Sequence, residues 1–194
     1  MSQAILEALK DGLSESREAA EVAGYRKAAV LVPLLVGAHG LELLFTVRSQ
    51  TLTNHAGQIA FPGGALEDGE SVGEAARRET FEEIGLDVPE TALLGCLNDL
   101  FSPARYVATP VVAALGWPKS LCLNPVEVEE AFTVPLRELW ELQPRSEVRE
   151  HMGIRRRIYF YPWRERLIWG FTGNILRNLL EVLEVSLTDC SRTS

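Results

Sequence analysis

The chain has 194 residues, 46% of them hydrophobic and 24% charged, which suits one folded domain with a core and excludes a disordered or collagen-like chain. Its net charge of −8 repels the backbone of DNA or RNA, so no nucleic-acid partner is expected. Cys96, Cys122 and Cys190 follow no paired spacing and no window approaches the roughly 18 apolar residues of a membrane span, which excludes a disulfide framework and a membrane partner and predicts a cytoplasmic protein.

No repeat interrupts the chain, and its two expected parts are an N-terminal helical extension over 1–26 and a single domain over 27–194. In the extension, Ile5, Leu6, Leu9 and Leu13 recur at loosely helical spacing. Residues 27–37 and 41–48 are β-rich runs joined by Ala38, His39 and Gly40, which predicts a hairpin. Pro33 inside the first run predicts an edge position or a bulge. Residues 57–61 read as a short strand before the turn Pro62-Gly63-Gly64. The clearest helix spans 71–85: Ser71 and Glu74 form a capping box and Gly85 stands where a helix ends. Strand-like runs follow at 93–100, 107–115 and 154–161, and a final helix is expected from about Thr172 to Val185. Strands flanked by two helices predict an α/β sandwich.

Within the 71–85 helix, Glu79, Glu82 and Glu83 stand at i, i+3 and i+4, so all three carboxylates share one face. Like charges at this spacing repel, and acidic groups near a helix C-terminus oppose the macrodipole. A hard divalent cation bound by oxygen ligands would relieve both effects. A solvated acidic face has the same spacing, so spacing alone leaves both readings open.

The wider segment, residues 64–86 (GALEDGESVGEAARRETFEEIGL), fits the pattern G-x5-E-x7-R-E-U-x-E-E-x-G-U, where U is aliphatic, through Gly64, Glu70, Arg78, Glu79, Glu82, Glu83, Gly85 and Leu86. This resembles a Nudix box, with Thr80 departing from the aliphatic residue usual at its position. The resemblance implies a Nudix-type α/β/α sandwich with a mixed β-sheet, and hydrolysis of a diphosphate with Mg²⁺ or Mn²⁺. It implies Glu79 and Glu83 as direct metal ligands, Glu82 as a ligand of a second ion, and the Gly64 carbonyl as a further oxygen. The catalytic set it implies is Glu79, Glu82, Glu83 and Arg78, with an Arg78–Glu70 ion pair holding Glu79 in place. A carboxylate must serve as base; Glu82 is the first candidate and Glu127, Glu129 and Glu130 are alternatives, although 127–130 also reads as an exposed acidic strand edge.

Upstream, LLFTVRSQTLTNHAGQIAFPGG (residues 43–64) resembles the additional signature of the coenzyme A pyrophosphatase branch of Nudix hydrolases. Arg48, Leu52, His55, Gly57, Gln58, Ala60, Phe61, Pro62, Gly63 and Gly64 carry that likeness, and WGFTGNILRNLL at 169–180 is similar to the branch's closing helix. The resemblance implies a small-molecule substrate, coenzyme A or a derivative, cleaved to 3′,5′-ADP and 4′-phosphopantetheine. Arg48 is the best-placed phosphate partner, because a guanidinium can bind phosphate through two donors. His55 and Gln58 either contact substrate or satisfy nearby backbone groups. Arg155, Arg156 and Arg157 either serve the 3′-phosphate or solvate a strand, and Trp117, Trp140, Trp163 and Trp169 either stack an adenine or belong to core and lid. Two other functions compete: a Nudix hydrolase of ADP-ribose or NADH, and a catalytically silent nucleotide-binding module of this fold.

Overall fold

The structure, a computed structural model, describes residues 2–14, 19–38, 40–102, 104–151 and 154–192. His39 of the expected hairpin loop lies outside the described residues, as do the side chains of Ile154 and Cys190. In chain order the strands are β1 (Arg26–Gly37), β2 (Gly40–Arg48), β3 (Ile59–Ala60), β4 (Gly63–Ala65), β5 (Leu93–Cys96), β6 (Leu100–Phe101), β7 (Tyr106–Gly116), β8 (Val128–Pro135), β9 (Arg145–His151), β10 (Ile154–Trp163) and β11 (Arg166–Trp169). The helices are α1 (Ser2–Gly12), α2 (Val72–Ile84), α3 (Leu136–Glu141) and α4 (Gly170–Arg192). Among the described residues no helix is long and apolar enough to cross a membrane.

Strands β1–β8 form one mixed sheet with the path β3-β2-β1-β7-β5, to which β4, β6 and β8 add beside β1, β7 and β2. The parallel pairing of β1 and β7 runs from Arg26↔Tyr106 to Val36↔Gly116, and the remaining pairs are antiparallel. Both faces of β1 are covered, which is why its sequence is nearly continuous apolar residues. Ala29, Leu31 and Leu35 pack with Val72, Ala75, Ala76 and Ile84 of α2. Val32 and Leu34 belong to the opposite core, with Leu9 of α1 and Ile175, Leu176 and Leu179 of α4. Each fully buried Leu contributes about 2 kcal/mol on such a face. The result is the expected α/β/α sandwich. Strands β9, β10 and β11 form a separate antiparallel sheet that joins the α1/α4 side through Tyr161, Trp163 and Ile168.

Pro33 occupies neither an edge strand nor a bulge. It lies in central β1, opposite Ala113 of β7. The Leu31 N–H, which points the same way as position 33, donates to the Pro62 carbonyl at 2.8 Å. On that side β4 pairs with 28–30 and β2 with 34–37, so the missing N–H of Pro33 falls in the interval between two partners. The run 93–100 is likewise two strands, β5 and β6, because Leu97 turns to donate to the Pro110 carbonyl and Asp99 accepts from the Ala20 N–H and the Thr109 hydroxyl.

Candidate functional site

Helix α2 is fixed at both ends by its own sequence. The Ser71 hydroxyl accepts the Glu74 N–H and the Glu74 carboxylate accepts the Ser71 N–H, while Gly85 closes the helix at φ 65° with its N–H on the Phe81 carbonyl. Thr80 at the aliphatic box position is fully buried and donates to the Ala76 carbonyl at 2.6 Å, so its hydroxyl is satisfied inside the helix. Packing of Val72, Ala75, Ala76 and Ile84 against β1 then sets the rotation of α2 and brings Glu79 and Glu83 to β4.

Gly63 and Gly64 allow that approach. A Cβ on Gly63 would overlap the Ala29 carbonyl and Val30 of β1, and a Cβ on Gly64 would overlap the Glu79 carboxylate. Glu83 is 4% exposed and its carboxylate receives the Gly63 N–H. Burial pushes its pKa up to about 8; repulsion by Glu127 and Glu79 adds to this, while Arg48 and the Gly63 N–H oppose it. Glu79 is raised as well, first by burial, against the pull of Arg78. The Glu82 side chain stays 53% exposed.

Arg78 ties this cluster to the preceding loop. Its Nε and Nη2 donate to the two Glu70 oxygens at 2.8 and 2.9 Å, and Nη2 also reaches the Ala65 carbonyl at 3.0 Å. Nη1 donates to Glu79 at 2.9 Å and to Glu82 at 3.3 Å. The hydrogen bonds from Arg78 hold the Glu70 carboxyl below its usual range. Among the described residues no three acidic, His or Cys side chains already converge on one point as a metal cage. The donor set nevertheless fits a hard cation: Glu79 gives only Oε1 to Arg78, and the pull of Arg78 on Glu79 and of Arg48 on Glu83 leaves both carboxyls raised.

Residues from outside the box reach the same place. Arg48 ends β2; its N–H donates to the Gln58 carbonyl and its carbonyl accepts the Gly57 N–H, closing the 49–57 loop. Its guanidinium acts on Glu83, and its Nε is buried with no hydrogen-bond partner. At the loop's far end His55, in the left-handed region at φ 60°, bonds through Nδ1 to Gln58 Oε1 at 2.9 Å. Those two residues therefore satisfy each other, and the remaining imidazole nitrogen is at an exposed position.

The acidic stretch 127–130 divides three ways. Glu127 repels both Glu79 and Glu83, Glu130 is bound by Arg166 at 2.7 and 3.0 Å, and Glu129 is exposed on edge strand β8. Sequence reasoning missed how Glu127 is delivered. The Cys122 and Asn124 N–H groups donate to the Ile84 and Glu83 carbonyls at the end of α2, and the Asn124 side chain donates to Glu127 at 3.2 Å. The turn-forming pair Asn124-Pro125 was the available signal.

The three consecutive arginines are not one patch, because strand alternation separates them. Arg156 Nη1 donates to the Phe101 carbonyl at 2.6 Å and Arg157 Nη1 to the Ser146 hydroxyl at 3.1 Å. Trp163 is buried, stacks on Phe132 and donates to Glu138; Trp169 stacks on Phe160; Trp117 and Trp140 are exposed. The segment similar to a closing helix meets the upstream motif directly: the Thr172 hydroxyl donates to the Ile59 carbonyl at 2.9 Å.

Comparison with known proteins places this arrangement in context. Residues 25–153 match the model of the NUDIX domain. The chain is 39% identical over 162 residues to an uncharacterized Nudix hydrolase, NudL, of Photorhabdus laumondii, covering 82% of this chain and 86% of that one. The NudL of Yersinia pestis is 35% identical over 162 residues, covering 82% and 81%. Among solved structures, a MutT/nudix family protein from Enterococcus faecalis superposes with a TM-score of 0.57 at 16% identity, over 87% of this chain and 66% of that chain. The NUDIX domain of Shewanella oneidensis NrtR, crystallised with ADP ribose, gives 0.50 at 15% identity over 61% and 77%. At these identities the structural likeness concerns the fold.

Proposed function

From the premise that this chain belongs to the Nudix hydrolase family, we propose that it cleaves the diphosphate of coenzyme A or a coenzyme A derivative to give 3′,5′-ADP and 4′-phosphopantetheine or its acylated form. The observation that carries this reading is that the charge of Arg48, a residue of the upstream signature, acts on Glu83 of the box. Arg48 also has a buried Nε without a protein hydrogen-bond partner, which suits it to a phosphate oxygen.

Nudix hydrolases generally need divalent metal ions such as Mg²⁺ or Mn²⁺. Glu79 and Glu83 would hold such an ion, with the Gly64 carbonyl as a further oxygen and Glu82 toward a second ion. The bound metal supplies positive charge against the phosphoryl oxygens and makes water more acidic. Arg78 keeps Glu79 oriented while Glu70 keeps Arg78 oriented, so the carboxylate need not reorganise when substrate arrives. Arg48 draws a substrate phosphate toward Glu83. His55 and Gln58 shape the adjoining loop and contact substrate from it. Glu82, half exposed and touched by Arg78 at one oxygen, and Glu127, held by Asn124, are the candidates to take a proton from the attacking water.

The test is product identification by mass spectrometry after incubating the wild type and Glu83→Gln with coenzyme A, ADP-ribose and NADH, with Mg²⁺, with Mn²⁺ and with chelator. The reading requires 3′,5′-ADP and phosphopantetheine from coenzyme A, lost in chelator and in the variant. Faster cleavage of ADP-ribose or NADH would overturn the substrate assignment. No cleavage under any metal would overturn hydrolysis in favour of a silent nucleotide-binding module.

A further inference from the structure

The acidic chain carries one concentrated basic region: residues 145–166 contain seven Arg and three Glu. Register sorts these residues by face. Arg145, Phe160 and Trp169 are cross-strand partners in one row of the small sheet, and Arg149 pairs with Arg156 further along the same face. The opposite face carries Tyr161 into the core. On the outward face the Arg145 and Arg149 guanidiniums lie over the Phe160 ring at 4.8 and 5.6 Å, and Trp169 stacks on that ring at 5.8 Å. Glu147 braces both arginines, at 3.4 Å from Arg145 and 3.0 Å from Arg149. Arg156 donates to a neutral carbonyl, so among the described residues Arg145, Arg149 and Arg156 on this face meet one carboxylate, Glu147.

Resting on the coenzyme A reading, we propose that this outward face is a subsite for the phosphorylated adenosine end of the substrate, with the 3′-phosphate on Arg145 and Arg149 and the base against Trp169. Stacking over the Phe160 ring orders the two guanidiniums in advance, which lowers the entropy lost on binding an anion, while the Glu147 carboxylate competes with that anion for them. Both side chains keep outward donors, being 69% and 52% exposed. Strand β11 leads from this face into α4, which touches the upstream motif. Thr172 bonds to Ile59, the neighbour of Gln58, and Trp169 is three residues from Thr172, at most about 11 Å along the chain. A small polyphosphate fits this patch better than a membrane or nucleic acid, because the remaining acidic surface opposes a broad polyanion while a local cluster of charge suffices for one phosphate.

The test is calorimetric titration at low ionic strength of 3′,5′-ADP and 5′-AMP into the wild type, Arg145→Ala, Arg149→Ala and Glu147→Gln. Each arginine variant should weaken 3′,5′-ADP about tenfold, as expected for one charged hydrogen bond, and weaken 5′-AMP far less. Glu147→Gln should strengthen 3′,5′-ADP about threefold by releasing both guanidiniums, a gain that misfolding cannot imitate. Unchanged 3′,5′-ADP binding in the arginine variants, or equal weakening of both nucleotides, overturns the subsite. Turnover of coenzyme A by the wild type separates the two claims: absent turnover with variant-sensitive 3′,5′-ADP binding removes the substrate and keeps the subsite, and turnover with variant-insensitive binding does the reverse.

Discussion

Arg78 grips Glu70 through two parallel hydrogen bonds, Nε to Oε1 at 2.8 Å and Nη2 to Oε2 at 2.9 Å, across the eight residues that separate the β4–α2 loop from the middle of α2. The fork also leaves Nη1 for Glu79. A lysine carries the charge but cannot make the planar double contact while reaching a third oxygen. Arg78→Lys should therefore lower kcat more than it lowers stability, and Arg78→Ala should cost about 3 kcal/mol of stability by leaving Glu70 and Glu79 without their cation. Urea unfolding beside steady-state kinetics separates the two effects; equal kcat in Arg78→Lys and wild type would refute the positioning role.

Glu83 makes the metal-free protein sensitive to pH with a defined sign. Its folded-state pKa, about 8, lies above the ordinary 4.5, so the fold favours the neutral carboxyl. That contribution is complete below about pH 4.5, declines as pH rises and is lost by about pH 8, a swing of up to about 5 kcal/mol. Glu70 acts in the opposite sense, stabilising above its ordinary pKa and losing the effect in acid. Comparing wild type with Glu83→Gln in chelator isolates the first term: the variant should gain stability over wild type progressively from pH 5 to pH 8. Adding Mg²⁺ or Mn²⁺ at pH 8 should then stabilise the wild type more than the variant. Parallel unfolding midpoints across this range would show that Glu83 is not ionising in a buried site.

Local chemistry made α2 legible from end to end, because the capping box, the αL glycine and the carboxylate spacing all act within a few residues. The hairpin β1–β2 was legible for the same reason, through Gly37↔Gly40. The place of Pro33 was not, since it depends on where β4 and β2 stop pairing with β1. Glu127 was one of several acidic candidates in sequence; only the docking of Cys122 and Asn124 on the end of α2 singles it out. Small sheet β9–β10–β11 also escaped a full reading, because its arginines are separated by register and its aromatic row is assembled across three strands.

Thr80 tests how strictly the box needs an aliphatic residue. Its hydroxyl bonds the Ala76 carbonyl, the same acceptor the helix supplies to the Thr80 N–H, so removing it orphans no buried group. Thr80→Val should add about 0.5–1 kcal/mol of stability by placing a methyl group in a fully buried slot, with turnover unchanged. Thermal unfolding measures this directly, and a loss of stability would mean that the hydroxyl has a structural role beyond its helix bond.

The proposed base is the least local element of the site, and the geometry leaves two carboxylates with different constraints. Glu82 is half exposed, and Arg78 at 3.3 Å occupies one of its oxygens. Glu127 accepts a neutral amide donor from Asn124 and repels Glu83 and Glu79. A group that takes the water proton should, when changed to Gln, lower kcat by about 10²–10⁴ and remove the acid limb of the pH–rate profile. A group that only adds negative charge near the box should change the metal requirement and leave the limb in place. Glu82→Gln and Glu127→Gln, each profiled from pH 5 to 9 at saturating metal, assign the role to whichever variant loses the limb. Retention of the limb in both would transfer it to Glu79 or Glu83, the two carboxylates with raised pKa, and Glu129→Gln serves as the exposed acidic control expected to behave like wild type.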